Sequence, residues 1–214
     1  MKLHGGTAFI RKSLFAPQPW LRPLQALGLT FVLLALSISA GAAQATTAAK
    51  SRDHVYLLRG AFNIFSLGMD EIADKLERQG INATVTNFIV WPSLADQAAA
   101  DYKAGRVRNI ILVGHSSGAT AVTSMAARLG QLGVPVKLAI GLDPTSPEVA
   151  SGKVDRYINY YIASGLGYAV VRGRRFNGVL ENIDVEKNPQ LGHFNIDKNP
   201  ALQEKVIREI HAAL

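Results

Sequence analysis

Asn109-Ile110-Ile111-Leu112-Val113-Gly114-His115-Ser116-Ser117-Gly118 decides the reading of this chain. A buried-type apolar run ends abruptly in Gly-x-Ser-x-Gly. Ala119, Val122, Ala126 and Leu129 then recur at the spacing of one helix face. A strand that stops on such a turn and resumes as a helix holds its serine on a strained elbow with the hydroxyl exposed. Gly114 and Gly118 stand two residues either side of Ser116, where strand and helix backbones come too close for a larger side chain. Centring the turn on Ser117 instead would put His115 at a crowded position, so Ser116 is the expected nucleophile.

Outward from this segment, strands and helices alternate. Strands are predicted at His54–Leu58, Asn82–Phe88, Asn109–Val113 and Val136–Leu142. Helices are predicted around Met69, Ile72, Ala73 and Leu76, over Pro92–Ala104, and behind the serine. Beyond Pro147 the pattern weakens; Arg156–Ala163 and Asn177–Val185 read as a fifth and a sixth strand. Asn199-Pro200 opens a last helix with Leu202, Val206, Ile207, Ile210 and Leu214 on one face. This alternation predicts an α/β fold: a single three-layer α/β/α domain around a mostly parallel sheet of about six strands, joined by right-handed crossovers.

The domain is expected to occupy residues 54–214. Residues 1–45 carry Lys2, Arg11, Lys12 and Arg22 and no acid, followed by an uncharged Leu/Ala-rich run from Leu24 to about Ala43. With Ala43-Gln44-Ala45 after it, this reads as a secretory signal peptide, or as an N-terminal anchor where it is not cleaved. Residues 46–53 form a short linker. The expected locations are therefore the periplasm or the exterior, or the membrane for the uncleaved form. The 169 residues from 46 to 214 suit one domain with a full core. The formal charge of +7 falls to +3 without the leader (19 basic against 16 acidic). No basic helix or aromatic–basic interleaving argues for a nucleic-acid partner. The absence of cysteine rules out a disulfide framework and a thiolate metal site.

A serine hydroxyl needs a base, a group that orients the base, and donors for a developing oxyanion. His193, in Leu191-Gly192-His193-Phe194-Asn195, is the expected base by elimination. His4 lies in the leader, His54 opens the first strand, His115 adjoins the serine with its ring pointing away, and His211 lies in the last helix. Asp143 is the leading acid because it ends the strand that follows the serine's helix. Asp184 and then Asp155 are the alternatives. The oxyanion donors are expected to be the N–H of Ser117, at a helix N-terminus, and that of Ala61 or Phe62 in the loop Arg59-Gly60-Ala61-Phe62-Asn63.

Together these residues resemble the α/β-hydrolase superfamily over roughly residues 54–214. The resemblance rests on Gly114-His115-Ser116-Ser117-Gly118, Gly60-Ala61-Phe62, Asp143 and His193. It implies a Ser–His–Asp triad, a covalent acyl-enzyme, and hydrolysis of a small-molecule or lipid ester or thioester, with no metal or organic cofactor. The chain departs from larger members in three ways. It is short enough to lack their first two antiparallel strands, it shows no inserted lid, and its acid comes one strand earlier than the commonest placement. A non-catalytic exported binding protein on the same scaffold and an acyltransferase are the competing expectations.

Four further features bear on specificity. Arg172, Arg174 and Arg175 read as a solvated basic loop, or as a contact for anionic substrates or a membrane surface. Tyr157, Tyr160, Tyr161 and Tyr168 read as packing or as a cleft wall. Trp91-Pro92 reads as a loop bordering the site or as edge packing. Phe62 and Phe65 are candidates for an acyl pocket.

Overall fold

The structure, a computed structural model, describes residues 51–214. The expected signal peptide and most of the expected linker, residues 1–50, lie outside the described residues. Eight strands and four α-helices follow in the order β1 (Asp53–Arg59), α1 (Gly68–Arg78), β2 (Asn82–Asn87), α2 (Trp91–Lys103), β3 (Asn109–His115), α3 (Ser117–Gln131), β4 (Val136–Leu142), β5 (Glu148–Ala150), β6 (Val154–Tyr161), β7 (Val170–Arg172), β8 (Val179–Asp184) and α4 (Pro200–Ala213).

Six strands make one sheet in the order β2-β1-β3-β4-β6-β8. Every neighbouring pair in it is parallel. The sheet is therefore wholly parallel, where the sequence indicated mostly parallel. β5 and β7 form a separate two-stranded parallel ribbon that the sequence reading missed.

Alternate residues of the central strands feed two cores, one on each face. Tyr56, Leu58, Ile110, Leu112, Ala139 and Tyr157 pack with Val122, Met125 and Leu129 of α3 and the alanines of α2. Val55, Leu57, Ile111, Val113, Leu138, Ile140 and Ile158 pack with Met69, Ile72 and Leu76 of α1 and Val206 and Ile210 of α4. Strands buried on both faces read as continuous apolar runs, which is why Ile110–Val113 carries no alternation.

β1 begins at Asp53, inside the stretch expected to be linker. Its carboxylate accepts hydrogen bonds from Arg108, Asn109 and the Ser51 hydroxyl, which fastens the strand start to β3. Trp91 is the first residue of α2 and packs on the core beside Phe88; it does not line the cleft around Ser116.

The chain leaves β1 toward β2 on one side and leaves β3 toward β4 on the other. The strand order reverses between β1 and β3, and a crevice opens there at the carboxyl ends of the strands, where parallel α/β sheets bind ligands. Gly60 and Ser116 lie at that position.

Candidate active site

Ser116 follows the last residue of β3 and immediately precedes α3. Its φ of 59° and ψ of −127° are strained for a residue with a side chain. Two backbone contacts enforce the turn. A Cβ on Gly114 would come within 2.3 Å of the Gly118 carbonyl oxygen, and one on Gly118 within 2.0 Å of the Leu58 carbonyl oxygen. Only glycine lets α3 start this close to β1 and β3.

Asp143 follows β4 on the neighbouring strand and is the other non-glycine residue with positive φ, at 54°, among the described residues. It is fully buried. Its Oδ1 accepts the Ile162 N–H at 2.8 Å, and its Oδ2 lies 2.7 Å from His193 Nδ1. His193 Nε2 lies 3.1 Å from Ser116 Oγ. A carboxylate only accepts, so Nδ1 carries the proton and the Nε2 lone pair faces the serine hydroxyl. The three side chains, drawn from positions 116, 143 and 193, thus form one continuous hydrogen-bonded line.

The other candidates go elsewhere. Asp184 Oδ1 accepts from the N–H groups of Ala163 and Glu186, which shapes its own loop. Asp155 pairs with Lys137 on the surface. His54 bonds Thr84 and stacks on Tyr56 at the opposite end of the sheet. His211 bonds Gln79.

Around the serine opens a cleft of about 260 Å³. Gly60, Ala61, Phe62, Phe65 and Ser66 line it from the loop after β1, and Phe194 and His193 from the loop before α4; Ser117, Thr145 and Leu166 complete the wall. The N–H of Ser117, first residue of α3, has no intrahelical acceptor. The rim is aromatic: the Phe65 ring centroid lies 6.3 Å from that of Phe62 and 5.3 Å from that of Phe194.

The tyrosine cluster does not wall this cleft. Tyr157 is buried in the core with its hydroxyl on Thr123 at 2.9 Å, and Tyr160 is buried on the other face. The arginine cluster does not line the cleft either. Arg172 donates to the Phe176 and Gly178 carbonyls and lies over the Phe176 ring, holding its own loop.

Sequence reasoning missed three polar residues beneath the site. His115 is buried against it. Its Nε2 lies 2.8 Å from the His193 carbonyl oxygen, and its Nδ1 lies 2.8 Å from Ser66 Oγ. Ser66 Oγ also accepts the Gly60 N–H at 2.9 Å. Asp197, fully buried, accepts the Gly68 N–H at 2.9 Å through Oδ2. Burial pushes the His115 imidazole down to about 4 and the Asp197 carboxyl up to about 6. The position of His115 inside Gly-x-Ser-x-Gly was the only signal; nothing local marked Ser66 or Asp197.

No protein-family model matches the chain, and no curated protein is detectably similar to it. Solved structures are similar in fold. The type II thioesterase BorB from the borrelidin biosynthetic cluster superposes with a TM-score of 0.50 at 10% identity, over 73% of this chain and 90% of that one. Human thioesterase 2 gives a TM-score of 0.50 at 8% identity, over 75% of this chain and 95% of that one.

Proposed function

We propose that this chain, which has the α/β-hydrolase fold, is a serine hydrolase that cleaves carboxylic esters or thioesters through an acyl-enzyme. One observation carries the reading: the unbroken line from Ser116 Oγ through His193 to the buried Asp143. Ser116 Oγ attacks the acyl carbonyl carbon while His193 Nε2 takes its proton. Asp143 holds the ring tautomer and stabilises the imidazolium that forms. The carbonyl oxygen becomes an oxyanion, held by the Ser117 and Ala61 N–H groups. Collapse expels the alcohol or thiol, which receives the proton from His193. Water, activated by the same imidazole, then releases the acid. No step calls for a metal or organic cofactor.

The apolar cleft wall supports an acyl group of hydrocarbon character. The basic start, apolar run and Ala43-Gln44-Ala45 of the leader support export; N-terminal sequencing of the secreted product checks cleavage after Ala45.

The test is labelling with a fluorophosphonate probe together with turnover of p-nitrophenyl acetate and butyrate. The wild-type protein is expected to label and turn over, and Ser116→Ala to do neither while keeping its circular dichroism spectrum. A wild-type protein inert to the probe would instead favour a non-catalytic binding protein. Product partition between water and an added alcohol separates hydrolase from acyltransferase.

A further inference from the structure

The base and the second oxyanion donor stand on different loops. Ala61 lies in the loop between β1 and α1, and His193 lies in the loop between β8 and α4. Turnover needs both placed to within a fraction of an ångström of the same serine, since misplacement by about 1 Å costs on the order of a hundredfold. Something must fix one loop relative to the other.

His115 touches both. Its Nε2 meets the His193 carbonyl oxygen, which only accepts, so Nε2 carries the ring proton. Its Nδ1 is then an acceptor and takes the Ser66 hydroxyl proton. The Ser66 oxygen, its proton so committed, accepts the N–H of Gly60, the residue before Ala61. Every donor in this chain has one acceptor and the direction is forced throughout. His115 is 1% exposed and Ser66 1% exposed, so water does not compete for these bonds. Burial also disfavours the imidazolium, whose second ring N–H would face the Ser66 hydroxyl and reverse the chain.

We propose that His115 is a positioning residue that couples the oxyanion loop to the catalytic-histidine loop, holding Gly60-Ala61 through Ser66 with one ring nitrogen and the His193 backbone with the other. The proposal rests on the serine hydrolase reading of the site. It gives the residue before the nucleophile a task of its own, one that needs both ring nitrogens. Near it, the Phe65–Phe194 ring contact joins the same two loops, and the Gly68–Asp197 hydrogen bond joins the start of α1 to the loop before α4.

Two substitutions split the ring's functions. His115→Gln places an amide nitrogen where Nε2 was, keeping the tether to His193 and losing the acceptor for Ser66. His115→Asn places an amide oxygen where Nδ1 was, keeping the Ser66 arm and losing the tether. The readout is kcat for a p-nitrophenyl ester per serine titrated with fluorophosphonate, so that unfolded molecules do not count. Each variant is expected to lose roughly 10–100-fold in kcat with KM within about threefold of wild type. Ser66→Ala removes the same arm as His115→Gln. It is expected to cost little more when added to His115→Gln, and its full factor when added to His115→Asn.

Unchanged kcat per titrated serine in the single variants, or full multiplicative loss in the Ser66→Ala/His115→Gln pair, overturns the coupling. Where a His115 variant fails to fold, Ser66→Ala alone decides, by the same kcat loss at constant KM. A wild-type protein that neither labels nor turns over overturns the hydrolase reading and the coupling with it. An active wild type with indifferent variants overturns the coupling alone.

Discussion

Ser116 and Asp143 occupy the same kind of place on adjacent strands. Each follows the end of a parallel strand, has positive φ, and gives its backbone N–H to the next strand, Ser116 to Leu142 and Asp143 to Tyr160. Both residues stay in register with the sheet while their side chains turn out of it toward His193. Asp143→Asn keeps this shape but exchanges an oxygen for an N–H donor, which opposes the Nδ1–H tautomer. The expected result is a fall in kcat on the order of 10³–10⁴-fold with little change in KM, measured by steady-state ester hydrolysis. Asp197 has a different consequence. Its carboxyl is raised from 3.8 to about 6, by burial first and by Glu71 to a lesser degree, against the favourable influence of Lys198 and the Gly68 N–H. Between those values the unfolded chain has released a proton that the folded chain retains. Stability from this group is present below about pH 4 and is lost as pH rises through 6. Asp197→Asn imitates the protonated form. Its stability relative to wild type should be near neutral at pH 4 and rise by up to about 3 kcal/mol at pH 7, measured by urea denaturation across that range. His193 and a short list of acids led by Asp143 were readable because strand ends and loops before a final helix can be located from pattern. His115 was readable as a position but not as a participant, because where its ring points depends on two loops that only the fold brings beneath it.

The elbow joins β3 to α3 and works only if the helix can start against β1. Gly118→Ala would press a methyl group onto the Leu58 carbonyl oxygen, which sits 2.0 Å from the ideal Cβ position. The expected cost is at least about 1–3 kcal/mol, seen as a lowered thermal midpoint, with activity falling further because Ser117 moves with the helix. The main strands and helices were legible because their apolar runs and helical spacings are long. β5 and β7 were not, since three residues display no periodicity and their pairing joins positions 22 apart in the chain. The start of β1 at Asp53 also escaped notice, because a charged residue at a strand end signals burial only once Arg108 and Asn109 are beside it.

At the scale of the whole domain, three exposed phenylalanines rim the cleft among the described residues. Phe62 is 71% exposed, Phe194 58% and Phe65 41%, their rings run one to the next, and a contiguous patch of this kind marks a surface that meets apolar matter. A hydrocarbon acyl chain leaving Ser116 would run over these rings. Activity on p-nitrophenyl esters is therefore expected to rise with acyl length from acetate, by up to about fourfold in kcat/KM per methylene while the chain remains against the rings. Phe65→Ala should flatten that rise and leave acetate hydrolysis nearly unchanged. A flat wild-type series would show that the rim does not hold the acyl chain.

The sequence by itself determined the alternation of strands and helices, the glycine-flanked serine and the order in which serine, acid and histidine follow, because each is written in local spacing and in backbone geometry that few residues tolerate. The tertiary structure alone decided which of three aspartates meets the imidazole, that Tyr157 and Tyr160 belong to the core, and that His115, Ser66 and Asp197 lie beneath the site. Those facts depend on which loops meet at the crevice between β1 and β3, and pairings across that distance leave no trace in spacing along the chain.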